Sequence, residues 1–193
     1  MKLLRLMAVV MAVLILGVSM VRAREETVSV SEPGVGMGVS EMIEEGEVMY
    51  ELPYPGLLPG HYLYPLKMMR DRVVEWLTFD RGKKIELMVL YADKRMAAAK
   101  VLLERGEEDL GVETGLKAMM YQERAISMIE EIKAEGENVG VWANSLERGT
   151  AKYRETWRGL VEKVSEKTRP RMDEYKDRAN EHNKRLQRVL ERE

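Results

Sequence analysis

The sequence predicts an all-α protein: an antiparallel helical bundle of about four helices, with an extended N-terminal strap and a proline-kinked C-terminal helix. Three observations predict it. Among 193 residues there are one Phe and six Pro, set against abundant Ala, Leu, Met, Glu, Lys and Arg, which lose least on entering a helix. From Pro65 onward, apolar residues recur at three- and four-residue steps, the spacing of one helix face. Gly106, Gly136, Gly140 and Pro170 then punctuate the chain at helix-length intervals.

The chain opens with the three parts of an export signal in order. Lys2 and Arg5 form a basic start, Leu6 to Val21 is an uncharged and mostly apolar run, and Val21-Arg22-Ala23 offers a small-residue cleavage site. The apolar run spans 16 residues, short of the roughly 20 that a membrane-crossing helix needs. Residues 1–23 are therefore expected to be a cleaved signal peptide. The protein is expected to be exported, as a periplasmic or extracellular domain or one anchored to the membrane and facing outward. Membrane contact is expected only if the N-terminal segment stays uncleaved.

Residues 24–51 carry eight acidic side chains against Arg24 alone, with Pro33 to Gly38 breaking any pattern. High like charge without apolar rhythm reads as an acidic disordered spacer. Leu52 to Pro65 holds four prolines and three tyrosines, which suggests an extended strap packed along a helical body.

Residues 52–140 form the strap and a first helical domain. Pro65 suits a first helical turn, and Leu66, Met69, Val73, Trp76 and Leu77 then mark one apolar stripe. Asp80 is placed to cap a second helix, whose inner face is Ile85, Met88, Ala92, Met96, Ala99 and Leu103. Gly106 ends it. Glu107, Glu108 and Asp109 suit the positive end of a third helix, although Gly111 and Gly115 suggest a start nearer Val112. Ala118, Tyr121, Ala125, Met128 and Ile132 set its face.

Residues 141–193 read as one long helical segment that Pro170 kinks or divides, with Trp142, Leu146, Gly149, Tyr153, Leu160 and Val164 before it. After it, Met172, Tyr175, Ala179, His182, Leu186 and Val189 alternate as a short coiled-coil seam. This seam either docks on the body or meets an unknown protein partner or a second copy. Met172, Tyr175, His182, Leu186 and Val189 are its candidate partner-facing residues. Protonation of His182 near pH 6 is then expected to loosen a seam-mediated dimer. Asp71, Arg72, Asp93 and Arg95 flank apolar stripes on neighbouring helices and are expected to be structural ion pairs.

The stretch Leu58–Ala99 resembles a family of exported bacterial helical domains known as domain of unknown function 5667. The likeness rests on Leu58-Pro59, Leu63 to Lys67, Thr78-Phe79-Asp80, Lys83 to Leu87 and Ala92 to Met96. It covers about 42 residues, continues weakly to Ile132, departs at Met96 where the family has leucine, and finds no counterpart from Val141 onward. The resemblance implies export and a helical fold, and it brings no activity.

Several chemistries are not supported. Cysteine is absent, which removes disulfides, thiolate metal sites and a thiol nucleophile. Without Lys2, Arg5 and Arg22 the chain holds 28 basic and 33 acidic residues, a net charge of −5, so electrostatics give no case for nucleic acid. His61 and His182 lack the Glu-x-x-His spacing of a di-metal bundle. Met68-Met69 and Met119-Met120 are tandem pairs suited to core packing. No phosphate-binding glycine loop or nucleophile elbow is present. No enzymatic activity and no cofactor are expected. The expected function is an exported structural or protein-interaction module of the cell envelope. The alternative is a small exported chaperone or stress-response protein whose Met-rich faces bind unfolded clients.

Overall fold

The computed structural model describes residues 50–191. The expected signal segment and the acidic stretch as far as residue 49 lie outside the described residues. Within the described residues the chain is all-helical, with five helices and no strand.

Helix α1 (Tyr64–Leu77) has Pro65 in its first turn, where the missing N–H removes no helical bond. It stops at Thr78, whose backbone is extended and whose hydroxyl donates to the Val74 carbonyl at 2.7 Å. Two residues on, Asp80 accepts the Lys83 N–H at 2.7 Å and caps α2 (Arg81–Glu104). α2 and α3 (Glu108–Ala134) end in the same way. At each end a glycine with positive φ lets the chain reverse: Gly106 at +79° and Gly136 at +87°. The residue after each glycine donates back to Leu102 and Ile132 respectively, satisfying carbonyls that the helix end leaves open.

Of the two readings of the C-terminal segment, the structure has the divided one. α4 (Gly140–Val161) ends eight residues before α5 (Arg169–Leu190) begins. Pro170 falls in the first turn of α5, the position where a proline is tolerated, instead of mid-helix, where it would clash with the preceding turn. Glu108, the first residue of α3, secures the connection. Its carboxylate accepts the Ser165 N–H and the hydroxyls of Ser165 and Thr168 at 2.9, 2.5 and 2.5 Å, and these bonds hold it below the usual carboxylate range.

Helices α2 to α5 share a buried interior made of two apolar clusters. One contains Met96, Met119, Tyr153, Trp157, Met172 and Tyr175. The other contains Met88, Ile126, Ile129, Leu146, Leu186 and Val189. Along α3, α4 and α5 a single polar residue stands between the two: Gln122, Thr150 and His182, all buried. These three bond to one another. His182 Nδ1 lies 3.0 Å from Gln122 Oε1, Gln122 Nε2 donates to Thr150 Oγ1 at 2.6 Å, and Thr150 donates to the Leu146 carbonyl at 2.7 Å. Because Gln122 Oε1 can only accept, the His182 proton sits on Nδ1.

The third helix begins at Glu108, ahead of the start near Val112 suggested by its two glycines. Those glycines serve helix packing instead. A Cβ on Gly111 would lie 2.6 Å from Leu103 Cγ, and one on Gly115 would lie 2.6 Å from the Trp157 ring. The same ring stacks on Tyr175 at 3.9 Å between centroids and donates its indole N–H to the Met172 carbonyl. Gly115→Ala is expected to cost roughly 1–3 kcal/mol through overpacking. Gly159→Ala, in α4 with nothing near the added methyl, should instead gain roughly 0.5–1 kcal/mol. Urea denaturation of the two variants checks both signs.

Candidate functional site

Helix α1 sits on the body the wrong way round for a core helix. The stripe expected to face inward is exposed: Leu66, Met69, Val73, Trp76 and Leu77 all face solvent, Trp76 at 76%. Phe79, just past the helix end, is 84% exposed. Eleven of the fourteen large hydrophobic residues exposed among the described residues fall between Tyr54 and Phe79. The contiguity sets them apart, because single exposed apolar residues are ordinary on any protein surface.

The polar side of α1 is what meets the body. Asp71 is buried, its carboxylate taken by Arg70 at 2.7 Å and its carbonyl accepting the Tyr91 hydroxyl at 3.1 Å. Glu75 pairs with Arg124 of α3. Lys67 turns back to the strap and donates to the carbonyls of Pro55 and Leu57 at 2.9 and 3.1 Å. Beneath the helix, the buried Arg95 guanidinium lies 4.2 Å from the centroid of the Tyr121 ring, a cation–π contact in place of a carboxylate. Its Nε has no hydrogen-bond partner among the described residues. A cavity of about 10 Å³ lies between Met68, Asp71, Tyr91 and Arg95, room for one water at most.

Asp93 is the second buried carboxylate, 6% exposed. Two phenols hold it: Tyr50 donates at 2.6 Å and Tyr153 at 2.7 Å. Burial raises the Asp93 pKa, while the two hydrogen bonds pull it down. Burial likewise pushes both tyrosines above their ordinary values. Thus Asp71, Arg72, Asp93 and Arg95, expected as ion pairs, do not pair with one another. Asp71 takes its neighbour Arg70, Asp93 takes tyrosines, Arg95 takes an aromatic face, and Arg72 lies exposed. Tyrosine as the partner of a buried aspartate is what the sequence did not flag. Its partners lie 43 and 60 positions away, so no local spacing pointed to it.

The seam residues Met172, Tyr175, His182, Leu186 and Val189 are all buried within the chain. α5 lays them against α3 and α4, and Arg185 seals the edge by pairing with Glu130 at 2.6 Å. In this structure that face is occupied, and a second chain has no access to it. His182 is 3% exposed, and its pKa is lowered to about 4, first by burial and then by Arg185 and Arg178 against Glu181. It therefore titrates well below the pH 6 expected of a seam switch.

The family model for the domain of unknown function DUF5667 matches residues 56–193. The chain belongs to this family. The match takes in α4 and α5, so the DUF5667 domain reaches well past Ile132, where the resemblance read from the sequence faded. No curated protein and no solved structure matches the chain. Within the described part of this DUF5667 chain, no helix is long and apolar enough to cross a membrane. No three His, Asp or Glu side chains of the described residues converge as a metal-binding group.

Two expectations follow. His182 binds its proton more readily in the unfolded chain, where its value is near 6.5, than in the fold, where it is about 4. Stability is therefore fullest above pH 6.5 and declines as pH falls toward 4, by up to about 3 kcal/mol. His182→Gln should flatten that decline in urea titrations at pH 7.5, 5.5 and 4.5. Tyr153→Phe should cost about 2 kcal/mol by removing a donor from a buried carboxylate. Tyr50→Phe, at a wetter position, should cost less in the same assay.

Proposed function

We propose that this DUF5667 protein is an exported, non-enzymatic module of the cell envelope that docks through the outward face of α1. In this reading α2 to α5 are an antiparallel bundle, and its task is to hold α1 in place. The single observation that carries the reading is the inversion of α1, with acids turned in and a continuous apolar stripe turned out. Such a stripe invites aggregation unless something covers it. The ties of Glu75, Lys67 and the Asp71 carbonyl hold the stripe outward, because rolling α1 inward would break them. Export rests on residues 1–23, whose basic start, apolar run and small-residue site support cleavage before Arg24.

The chaperone reading uses the same surface. The thioether of Met69 within the stripe suits adaptable contact with varied clients. Suppression of client aggregation at equimolar protein supports that reading, and absence of protection removes it.

The docking reading is tested by Val73→Lys with Trp76→Lys. Both side chains are exposed, so folding stability should stay within about 0.5 kcal/mol, as followed by circular dichroism. The amount of protein recovered with the envelope fraction should fall at least tenfold. Unchanged recovery overturns the reading. Mass spectrometry of the recovered chain tests export: a mature chain beginning at Arg24 is expected, and an intact chain in the cytosolic fraction refutes it.

A further inference from the structure

We infer that the surface met by α1 is a bilayer of anionic lipids, an inference that rests on the docking reading above and names its partner. Laid out at about 100° per residue, the exposed large apolar side chains of α1, Val74 included, fill an arc of roughly 160°. Trp76 and Met69 lie toward one side, Leu66 and Leu77 toward the other, with Val73 between them. Arg72 borders the first edge, while Arg70, paired with Asp71, lies between Leu77 and Val74 on the second side; both arginines are exposed. An apolar arc bordered by an exposed arginine matches a helix lying in a membrane interface, where apolar side chains enter the acyl boundary and guanidinium groups rise to the headgroups.

The charge pattern favours an anionic surface. Both acids of α1 are paired, Asp71 by its neighbour Arg70 and Glu75 by Arg124 of α3. No α1 carboxylate therefore opposes a negative headgroup. Trp76 and Phe79, the most exposed residues of the region beyond the strap, are side chains that settle at the headgroup level. A second copy fits less well. In an antiparallel two-fold contact between stripes, the Arg72 edge of one copy meets the Arg72 edge of the other. Against a lipid surface the same edges find phosphates.

The full chain lacks cysteine, so Met69→Cys provides one thiol for an environment-sensitive fluorophore, with Lys176→Cys on the exposed side of α5 as control. Each labelled chain is mixed with vesicles of phosphatidylglycerol and phosphatidylcholine in equal parts, or of phosphatidylcholine alone, both doped with nitroxide lipid. The expected result is a blue shift and quenching at position 69 with the anionic vesicles, little with the neutral ones, and none at position 176. Arg72→Gln should lower partitioning about fivefold. If the protein sediments with vesicles while position 69 stays unquenched, the leading apolar segment is the attachment and the inference is overturned. A blue shift without lipid overturns it too, in favour of a second copy if it grows with protein concentration and of the chain's own N-terminal region if it does not. If no vesicle binds, yet Val73→Lys with Trp76→Lys still abolishes envelope recovery, docking stands and its partner is not lipid. If that double variant is recovered like the parent, docking itself falls.

Discussion

The register of the body depends on three polar side chains held in one layer. Gln122, Thr150 and His182 come from three helices and meet between two apolar clusters, each bonded to the next. A Leu or Ile stripe tolerates sliding by a turn with little loss, whereas a buried amide, hydroxyl and imidazole do not, because a slip leaves donors and acceptors without partners. The relay also has a direction, from the imidazole N–H through the amide to the hydroxyl and a backbone carbonyl. Only one alignment of α3, α4 and α5 satisfies it. Everything on the outside, including the edge pairs of Arg185 and Lys133, follows from that alignment.

Against this fixed body α1 is attached by polar ties and aromatic contacts, with little apolar packing. The division of labour is chemical. The interior is supplied by α2 to α5 and their connections, with Leu52 of the strap against it, so the hydrophobic side of α1 is not needed to complete it. A helix whose apolar face contributes nothing to the core, yet which is held by buried Asp71 and half-buried Lys67 and Glu75, is positioned to meet something else. The guanidinium of Arg95, packed between Tyr91 and Tyr121 beneath it, gives the seat of α1 a positive floor, and Asp71 lines the same small cavity.

How much of this was legible in the sequence varied with the kind of information each feature needs. The inner face of α2 was fully legible: Ile85, Met88, Ala92, Met96, Ala99 and Leu103 are all buried, because a helix buried along its length shows its periodicity without distortion. The same periodicity in α1 pointed to the correct residues and the opposite side, since a stripe has a spacing but no sign. The seam of α5 was legible as a seam, yet its spacing did not say which chain would cover it. Pro170 marked a break, and whether a proline bends a helix or begins one depends on where the preceding helix stops. Gly111 and Gly115 read as weak helix formers because propensity is local, while the Leu103 and Trp157 side chains that require them lie elsewhere in the chain. The Asp93 clamp and the Gln122–Thr150–His182 relay join residues 28 to 60 positions apart, beyond the reach of any helical repeat.

The three tryptophans divide the molecule optically. Trp157 is sealed against Gly115 and stacked on Tyr175, Trp142 is half-buried over Gly82, and Trp76 stands in solvent. Indole emission shifts to longer wavelength as water gains access to the ring, so the blue side of the spectrum reports the seat of α5 and the red side reports α1. Native fluorescence therefore carries two separable signals, one for the integrity of the body and one for the occupancy of its outward helix.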